Sequence, residues 1–367
     1  LADSLVRYNL FWPVLGSAES IGYPVTKPIR FKDTQIELAH GAGGKASRRL
    51  VEGLLLPYLN NPALSPLADA AYLGLGDSGL ALTADSFVVK PLSFPGGSIG
   101  KLAVNGTLND LAVSGAKPLG LLCSLILEAG LSTEILEAEV KALAEAAGHA
   151  GVDILGGDTK VVEHGKADGM YITTAGIGLV DGRVNLSAGQ VKPGDQILLS
   201  GPIGDHGITI LLARGELDLE ADLQSDSRPV WPMVSALIEH VASGLKWMRD
   251  PTRGGVATSL NELARDARIG IALIEDHLPI NPAVRGACEI LGLDPLHIAN
   301  EGQFLAVVAK EQAEAALQTL HSTPGGEAAV IVGEVQAKNP GVVYVKTSYG
   351  ASRIVDMLVG DPLPRIC

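Results

Sequence analysis

The sequence predicts two α/β domains in series, closed by an extended tail. Three observations carry this expectation. Strand-like and helix-like segments alternate through both halves of the chain, and a polar stretch at 181–195 containing Pro193-Gly194 separates the halves. The last residues, Pro362-Leu363-Pro364-Arg365-Ile366-Cys367, carry two prolines that exclude a helix or a central strand and end on a thiol. A chain of 367 residues is long enough for two cores.

In chain order, residues 1–35 are an extension in which Pro13, Pro24 and Pro28 interrupt any continuous element, and no role is assigned to them. The first domain is placed at 36–185. His40-Gly41-Ala42-Gly43-Gly44-Lys45 opens a helix whose backbone N–H groups suit phosphate oxygens, although a hinge or lid explains the same glycines. A strand pair is expected at 79–90, a helix at 99–113 and an apolar strand at 119–127 with Cys123 in the core. An Ala/Glu/Leu-rich amphipathic helix follows at 133–150, then a short buried strand at 152–155 and another strand at 170–179. The second domain is placed at 186–348, with strands at 196–200, 269–274, 304–308 and 329–335 and helices at 229–241, 255–266 and 282–291. Residues 349–367 are then a mobile tail. Its seventeen residues beyond Gly350 reach on the order of 55 Å when extended at about 3.3 Å each.

Composition narrows the partners. A net charge of −13 argues against nucleic acid or an anionic membrane and in favour of divalent cations. Three cysteines with no CxxC pair leave no disulfide framework or structural zinc site, which fits a reducing, cytoplasmic setting. No apolar run reaches the roughly 20 residues of a membrane span, and the N-terminal residues lack a secretory pattern.

Four carboxylates sit at strand ends or loops beside small residues: Asp77, Asp85, Asp110 (after Asn109) and Asp158 (in Gly156-Gly157-Asp158-Thr159). Each alone is explained as a turn or cap residue. Together, beside glycine loops in an acidic chain, they point to a site for ATP and Mg²⁺, because gathered carboxylates are costly without a cation.

The runs His40-Gly41-Ala42-Gly43-Gly44, Thr83-Ala84-Asp85-Ser86, Asn109-Asp110-Leu111-Ala112-Val113-Ser114-Gly115-Ala116 and Gly156-Gly157-Asp158-Thr159-Lys160 resemble the ATP-binding superfamily of aminoimidazole ribonucleotide synthetase, selenophosphate synthetase and thiamine-phosphate kinase. Gly204-Asp205-His206-Gly207, Arg249-Asp250-Pro251-Thr252-Arg253-Gly254-Gly255, Asn300-Glu301-Gly302 and Pro364-Arg365-Ile366-Cys367 resemble, within it, the HypE family of carbamoyl dehydratases. The resemblance runs from about Ile36 to Cys367 and implies a homodimer whose first domains close a β-barrel, with ATP between the domains. It also implies that a carbamoyltransferase, HypF, loads Cys367, and that ATP-driven loss of water leaves an S-cyanide. The cyanide then passes to iron on a HypC–HypD complex for the Fe(CN)₂CO centre of nickel–iron hydrogenase.

The residues fit that chemistry. Phosphoryl transfer needs positioning and charge neutralisation. Mg²⁺ on Asp77, Asp85, Asn109 or Asp110, and Asp158 supplies the neutralisation, while Gly43, Gly44, Thr159 and Arg253 face the nucleotide. Lys160 is expected to hold a phosphate or the carboxamide oxygen, and Glu301, oriented by Asn300, to remove amide protons. His40 and His206 are expected to position loops, and Arg365 to favour the Cys367 thiolate. Two other readings are a small-molecule kinase or synthetase of the superfamily and a non-enzymatic thiol carrier. The terminal cysteine argues against the first and the acidic glycine loops against the second.

Overall fold

A computed structural model describes residues 31–367 apart from 42, 60, 62, 65, 76, 77, 216–220, 359, 361, 362 and 364. The expected Asp77 therefore lies outside the described residues, as does Ala42 of the first glycine loop. The first sheet comprises β1 (Ala71–Leu75), β2 (Ser78–Phe87), β5 (Ala116–Glu128), β6 (Asp153–Val162) and β7 (Met170–Val180), with a small hairpin of β3 (Ser93–Phe94) and β4 (Gly97–Ser98) beside it. Its strand order is β1-β2-β7-β5-β6, antiparallel except for the β5–β6 pair. That parallel pair is joined through α4 (Thr133–Ala150), as a parallel connection requires. Ser132 caps α4 by accepting from the Glu134 N–H, and Gly151 ends it in the left-handed conformation.

The sequence places two elements differently. Residues 79–90 do not fold back on themselves: β2 is one ten-residue strand, and its hairpin partner is β1. β6 is neither short nor buried. It runs to Val162 with nearly every residue exposed, because β5 is its sole partner strand among the described residues.

The second sheet takes β8 (Gln196–Leu199), β9 (Leu245–Arg249), β10 (Gly270–Ile274), β11 (Leu305–Val308), β12 (Val330–Gln336), β13 (Val343–Lys346) and β14 (Ser352–Val355), in the order β14-β13-β10-β12-β8-β11-β9. α5 (Asp205–Ala213), α6 (Trp231–Val241), α7 (Gly255–Ala267), α8 (Pro282–Leu291) and α9 (Ala313–His321) complete this half, and α1 (Gly44–Leu50) and α2 (Leu56–Leu59) precede the first sheet. Because β14 pairs with β13, the chain stays in the sheet through Val355 rather than leaving it at Gly350. Twelve residues follow Val355, a length of about 40 Å when fully extended.

α3 (Ile99–Val113) joins the halves. It packs on β2, β5 and β7 on one side and on α6 and β9 on the other. Thirteen of its fifteen residues are buried, which explains an apolar sequence with no polar face. Full burial of Ile99, Leu102, Leu108 and Leu111 contributes about 1.5–3 kcal/mol for each side chain. The two remaining residues are Lys101 and Asp110, and Asp110 opens onto the site.

Candidate active site

The acidic centre gathers where the two halves meet. Carboxylate oxygens of Asp69, Asp110 and Asp250 lie within 4.8 Å of one another. Asp69 directly precedes β1, Asp110 comes from the last turn of α3, and Asp250 follows β9. Thr83 on β2 donates its hydroxyl to Asp110 at 2.7 Å, and the Arg249 guanidinium holds Asp69 at 2.9 Å. Burial, then the negative charge of Asp69, pushes the Asp250 carboxyl up to about 8, although Arg249 opposes it. Asp110 is raised for the same reasons, burial first, then Asp250, Asp85 and Asp69. Asp85 is raised by burial, against Arg253 and a hydrogen bond with Asp110. Three oxygen-donor side chains so close, with one arginine between them, suit a hard cation such as Mg²⁺.

Asp85 and Asp110 thus come together as the sequence suggests, but their partners are Asp69 and Asp250. Asp158 is elsewhere. The β-sheet register aligns it with Ser124, Thr173 and Ser86, three strand spacings or about 14 Å from the strand that carries Asp85. There it pairs with Lys160 at 2.5 Å and accepts from the Thr159 N–H, with all three residues exposed on β6. The Asn109 side chain is likewise not engaged with the acidic centre. It is buried, its amide group donates to the carbonyls of Arg228 and Glu301, and its oxygen accepts from the Val230 N–H. It is a clamp on the Glu301 loop.

Glu301 is 3 % exposed. Asn109 holds its carbonyl, and the Asp226 carboxylate accepts its N–H and that of Gly302. Asn300 does not orient the Glu301 carboxylate. Its amide instead ties Pro251, Ile298 and the N–H of Gly204 together. Burial raises the Glu301 pKa well above the carboxylate range, followed by the charges of Asp250, Asp226 and Asp85, with Arg253 acting against them. The Glu301 carboxylate lies against α3 at Gly106: a Cβ there would stand 3.7 Å from its Oε2 and 2.9 Å from the Phe87 ring. Gly106 is therefore what lets Phe87 and Glu301 share this space.

The Phe87 ring also leads to the tail. The neighbouring Val88 N–H donates to the Cys367 carbonyl at 3.0 Å, and the half-buried Cys367 packs in the apolar cluster that contains Phe87. The sulfur-bearing residue thus docks at Val88, the residue that follows β2 and lies three beyond Asp85 in the chain. Arg365 pairs with Asp168 at 2.5 Å. Cys123 sits half-buried against two apolar clusters, and burial raises its thiol pKa, as a core residue requires.

The first glycine loop closes the other side. Gly43 and Gly44 have φ of 77° and 70°, and a Cβ on Gly44 would stand 2.5 Å from the Leu358 carbonyl. Lys45 N–H donates to that carbonyl, its Nζ pairs with Asp356 at 2.6 Å, and Arg253 donates to the Gly41 carbonyl at 2.9 Å. The glycine loop, the exposed Arg253 entering α7 and the root of the tail therefore meet. Both histidines position loops: His40 bonds Asp33 and the Glu37 N–H, and His206 bonds Ser225 and the tail.

No helix among the described residues is long and apolar enough to cross a membrane. The family models described as AIR synthase related protein match residues 67–180 with the N-terminal domain and residues 192–346 with the C-terminal domain. The carbamoyl dehydratase HypE of Azotobacter vinelandii is 46% identical over 339 residues, covering 92% of this chain and 99% of that protein. HypE in a HypE–HypF complex superposes with a TM-score of 0.80 at 45% identity, over 84% of this chain and 99% of that one. HypE in complex with ATP superposes with a TM-score of 0.76 at 44% identity, over 91% and 100%. The chain belongs to the HypE family, with the two-domain α/β fold of the AIR synthase related proteins.

Proposed function

We propose that the chain is an ATP-dependent carbamoyl dehydratase that converts a carbamoyl group on its own Cys367 to an S-cyanide during hydrogenase maturation. The relatives named carbamoyl dehydratase and the ATP-bound and HypF-bound HypE structures support this reading. The single observation that carries it is the docking of Cys367 at Val88, next in sequence to Phe87, whose ring shares the space over Gly106 with the buried Glu301.

The carboxamide oxygen is a poor leaving group, and transfer of the ATP γ-phosphoryl group to it cures that. The C–O bond then breaks, phosphate leaves with that oxygen, and the nitrogen loses both protons as the C≡N bond forms. Glu301 takes one of these protons, since a buried carboxylate with a raised pKa is a stronger base than a solvated one. In sum, carboxamide and ATP give thiocyanate, ADP, phosphate and one proton. Asp69, Asp110 and Asp250, with Asp85 beside them, would hold Mg²⁺, which neutralises phosphate charge when bound. Gly43, Gly44 and Arg253 face the nucleotide.

We place the ATP-binding domain at 36–185, the second α/β domain at 186–348 and the tail at 349–367, mobile beyond Val355, with 1–35 as an extension. A homodimer is also part of the reading. Leu119, Leu122, Leu155 and Val161 on β5 and β6 are each 47–67% exposed, and the outer edge of β6 lacks a partner strand among the described residues. A second copy closing a barrel there would cover them and bring Asp158, Thr159 and Lys160 into an interface. HypF would load Cys367, and a HypC–HypD complex would accept the cyanide, in the cytoplasm.

The test is intact mass and tail-peptide mapping after incubation with the carbamoyltransferase, carbamoyl phosphate and ATP. A carbamoyl adduct on Cys367 should lose one water only with ATP and Mg²⁺ present. An unmodified Cys367, or the same adduct in Cys367→Ala, defeats the proposal.

A further inference from the structure

The last three residues run along residues 88–90 through two main-chain hydrogen bonds, with Arg365 in the left-handed conformation (φ 59°). Val88 N–H donates to the Cys367 carbonyl at 3.0 Å and Lys90 N–H to the Arg365 carbonyl at 3.4 Å, an antiparallel register just beyond the point where β2 stops pairing with β7. Leu363 and Ile366 are 3% and 2% exposed, packed in the cluster that holds Phe87, Val89, Phe94 and Ile208. The Arg365 guanidinium is fixed by Asp168 at 2.5 Å, by the Val88 carbonyl at 3.1 Å and by the Tyr171 ring, 6.0 Å from its centroid.

Body side chains also hold the two carbonyls that precede the cysteine. Arg214 Nη2 donates to the Arg365 carbonyl at 2.9 Å, and His206 Nε2 lies 2.6 Å from the Ile366 carbonyl. A carbonyl only accepts, so Nε2 must carry the hydrogen. Nδ1 then accepts from the Ser225 hydroxyl at 2.8 Å, whose oxygen in turn accepts the Ser227 N–H at 3.2 Å. Both imidazole nitrogens are thus engaged, one on the tail carbonyl and one on a serine hydroxyl that is itself held by the Ser227 N–H. Burial lowers the His206 pKa to about 4, so the ring stays neutral and this tautomer persists at neutral pH.

We propose that His206, with Asp168 as its partner at the other end of the register, is a positioning residue for the substrate-carrying tail. It sets where Cys367 stands relative to Glu301 and the fraction of time the tail is docked. The inference rests on the reading of Cys367 as carrier, but docking itself is measured without any chemistry on the sulfur. A histidine that merely filled the core would change the melting temperature and leave the tail as accessible as before.

The experiment labels the full chain with a bulky polyethylene-glycol maleimide and follows Cys367 and Cys288 separately by peptide mapping. Cys288, buried in α8 in the same cluster as Leu363 and Ile366, reports opening of the body beneath the tail. Removing one buried hydrogen-bond partner of a carbonyl should raise the Cys367 labelling rate roughly 10- to 100-fold in His206→Ala, with Cys288 still protected. His206→Gln, which keeps an N–H donor, should return to within about fivefold of the parent protein. Asp168→Asn, at a half-exposed site, should raise labelling by about five- to tenfold. In carbamoylated protein, His206→Ala should slow single-turnover dehydration while the KM for ATP is unchanged. Parent-like labelling of Cys367 in both His206→Ala and Asp168→Asn overturns the proposal. Should His206→Ala expose Cys288, the Asp168→Asn rate alone decides, and a parent-like value is fatal. Faster labelling in a protein that performs no dehydration would keep the docking role and sink the dehydratase reading instead.

Discussion

Asp110→Asn tests whether Asp69, Asp110 and Asp250 form a cation site. At an effective dielectric of 20, two unit charges 4.8 Å apart repel by about 3.5 kcal/mol. Asp110 faces two such partners. With the Asp250 carboxyl pushed up to about 8, one of the two repulsions is largely absent at pH 7.5. Arg249 further offsets Asp69. Burial and its neighbours raise the Asp110 carboxyl too, so the substitution should raise metal-free stability by at most roughly 1–3 kcal/mol, or up to about 2–10 °C in Tm, and more as pH rises. The asparagine oxygen can still accept the Thr83 hydroxyl, so no new buried orphan is made. The parent protein should instead gain about 2.7 kcal/mol when Mg²⁺ stands at a hundredfold its Kd, and the variant should lose that gain. Differential scanning fluorimetry with EDTA and with a Mg²⁺ series reads both quantities. A variant that is destabilised without metal, or that keeps the full Mg²⁺-dependent shift, refutes the assignment.

Glu301→Gln should bind ATP normally and slow dehydration by at least about 10²-fold. In the parent the rate should rise with pH through a pKa above the ordinary carboxylate range, since the base works only when deprotonated; a flat profile removes Glu301 from that role. Burial pushes Asp205 up to about 6, above its unfolded value of 3.8, while Asn281 opposes the shift. Its protonated form is thus favoured by folding, and its contribution is fully present below the unfolded pKa and lost as pH rises through about 6. Urea melts of Asp205→Asn should lack that part of the pH slope, and an unchanged slope would place its cause elsewhere. Paired substitutions Leu155→Asp and Val161→Asp should convert a dimer to a monomer by sedimentation velocity; a persisting dimer would move the interface off β6.

The fold was legible wherever periodicity and capping agreed. The expected bounds of α3 and α4 match those in the structure, because a run without Pro that ends at Gly115 and a Ser132-to-Gly151 capped amphipathic run leave little choice. β9, β13, β14 and α9 are short, and their pairing is set by distant strands, so local pattern does not mark them. The length and exposure of β6 were hidden for a different reason. Its apolar residues, Ile154, Leu155 and Val161, suggest burial, yet among the described residues they stay 37–67% exposed. The proposed dimer would make the strand the buried one its pattern describes.

The acidic site shows the same limit more sharply. An aspartate beside small residues at a strand end is visible in sequence, but which aspartates converge is a matter of register. Asp85 and Asp110 were found because extended chain was expected through Asp85 and α3 was placed correctly, although the expected strand pair at 79–90 is the single strand β2. Asp69 was missed because it precedes a hairpin strand that was itself not assigned, and Asp250 because it stood among residues read as a phosphate loop. The available signal was Asp69-Ala70-Ala71, an acid with a buried alanine opening a strand, and Arg249-Asp250, whose arginine reaches back to Asp69 at 2.9 Å. Asp158 had the strongest glycine context of all and lies on the far side of the sheet, paired with Lys160. If a second copy completes the site, Asp158 and Lys160 act from across the interface, and Lys160→Ala should impair only the active sites that receive its β6. Mixed dimers of Lys160→Ala with Glu301→Gln would then keep one site with both defects and one with neither, or two sites with one defect each. Activity near half of the parent supports the first arrangement and near-zero activity the second, so one measurement decides which chain supplies the lysine.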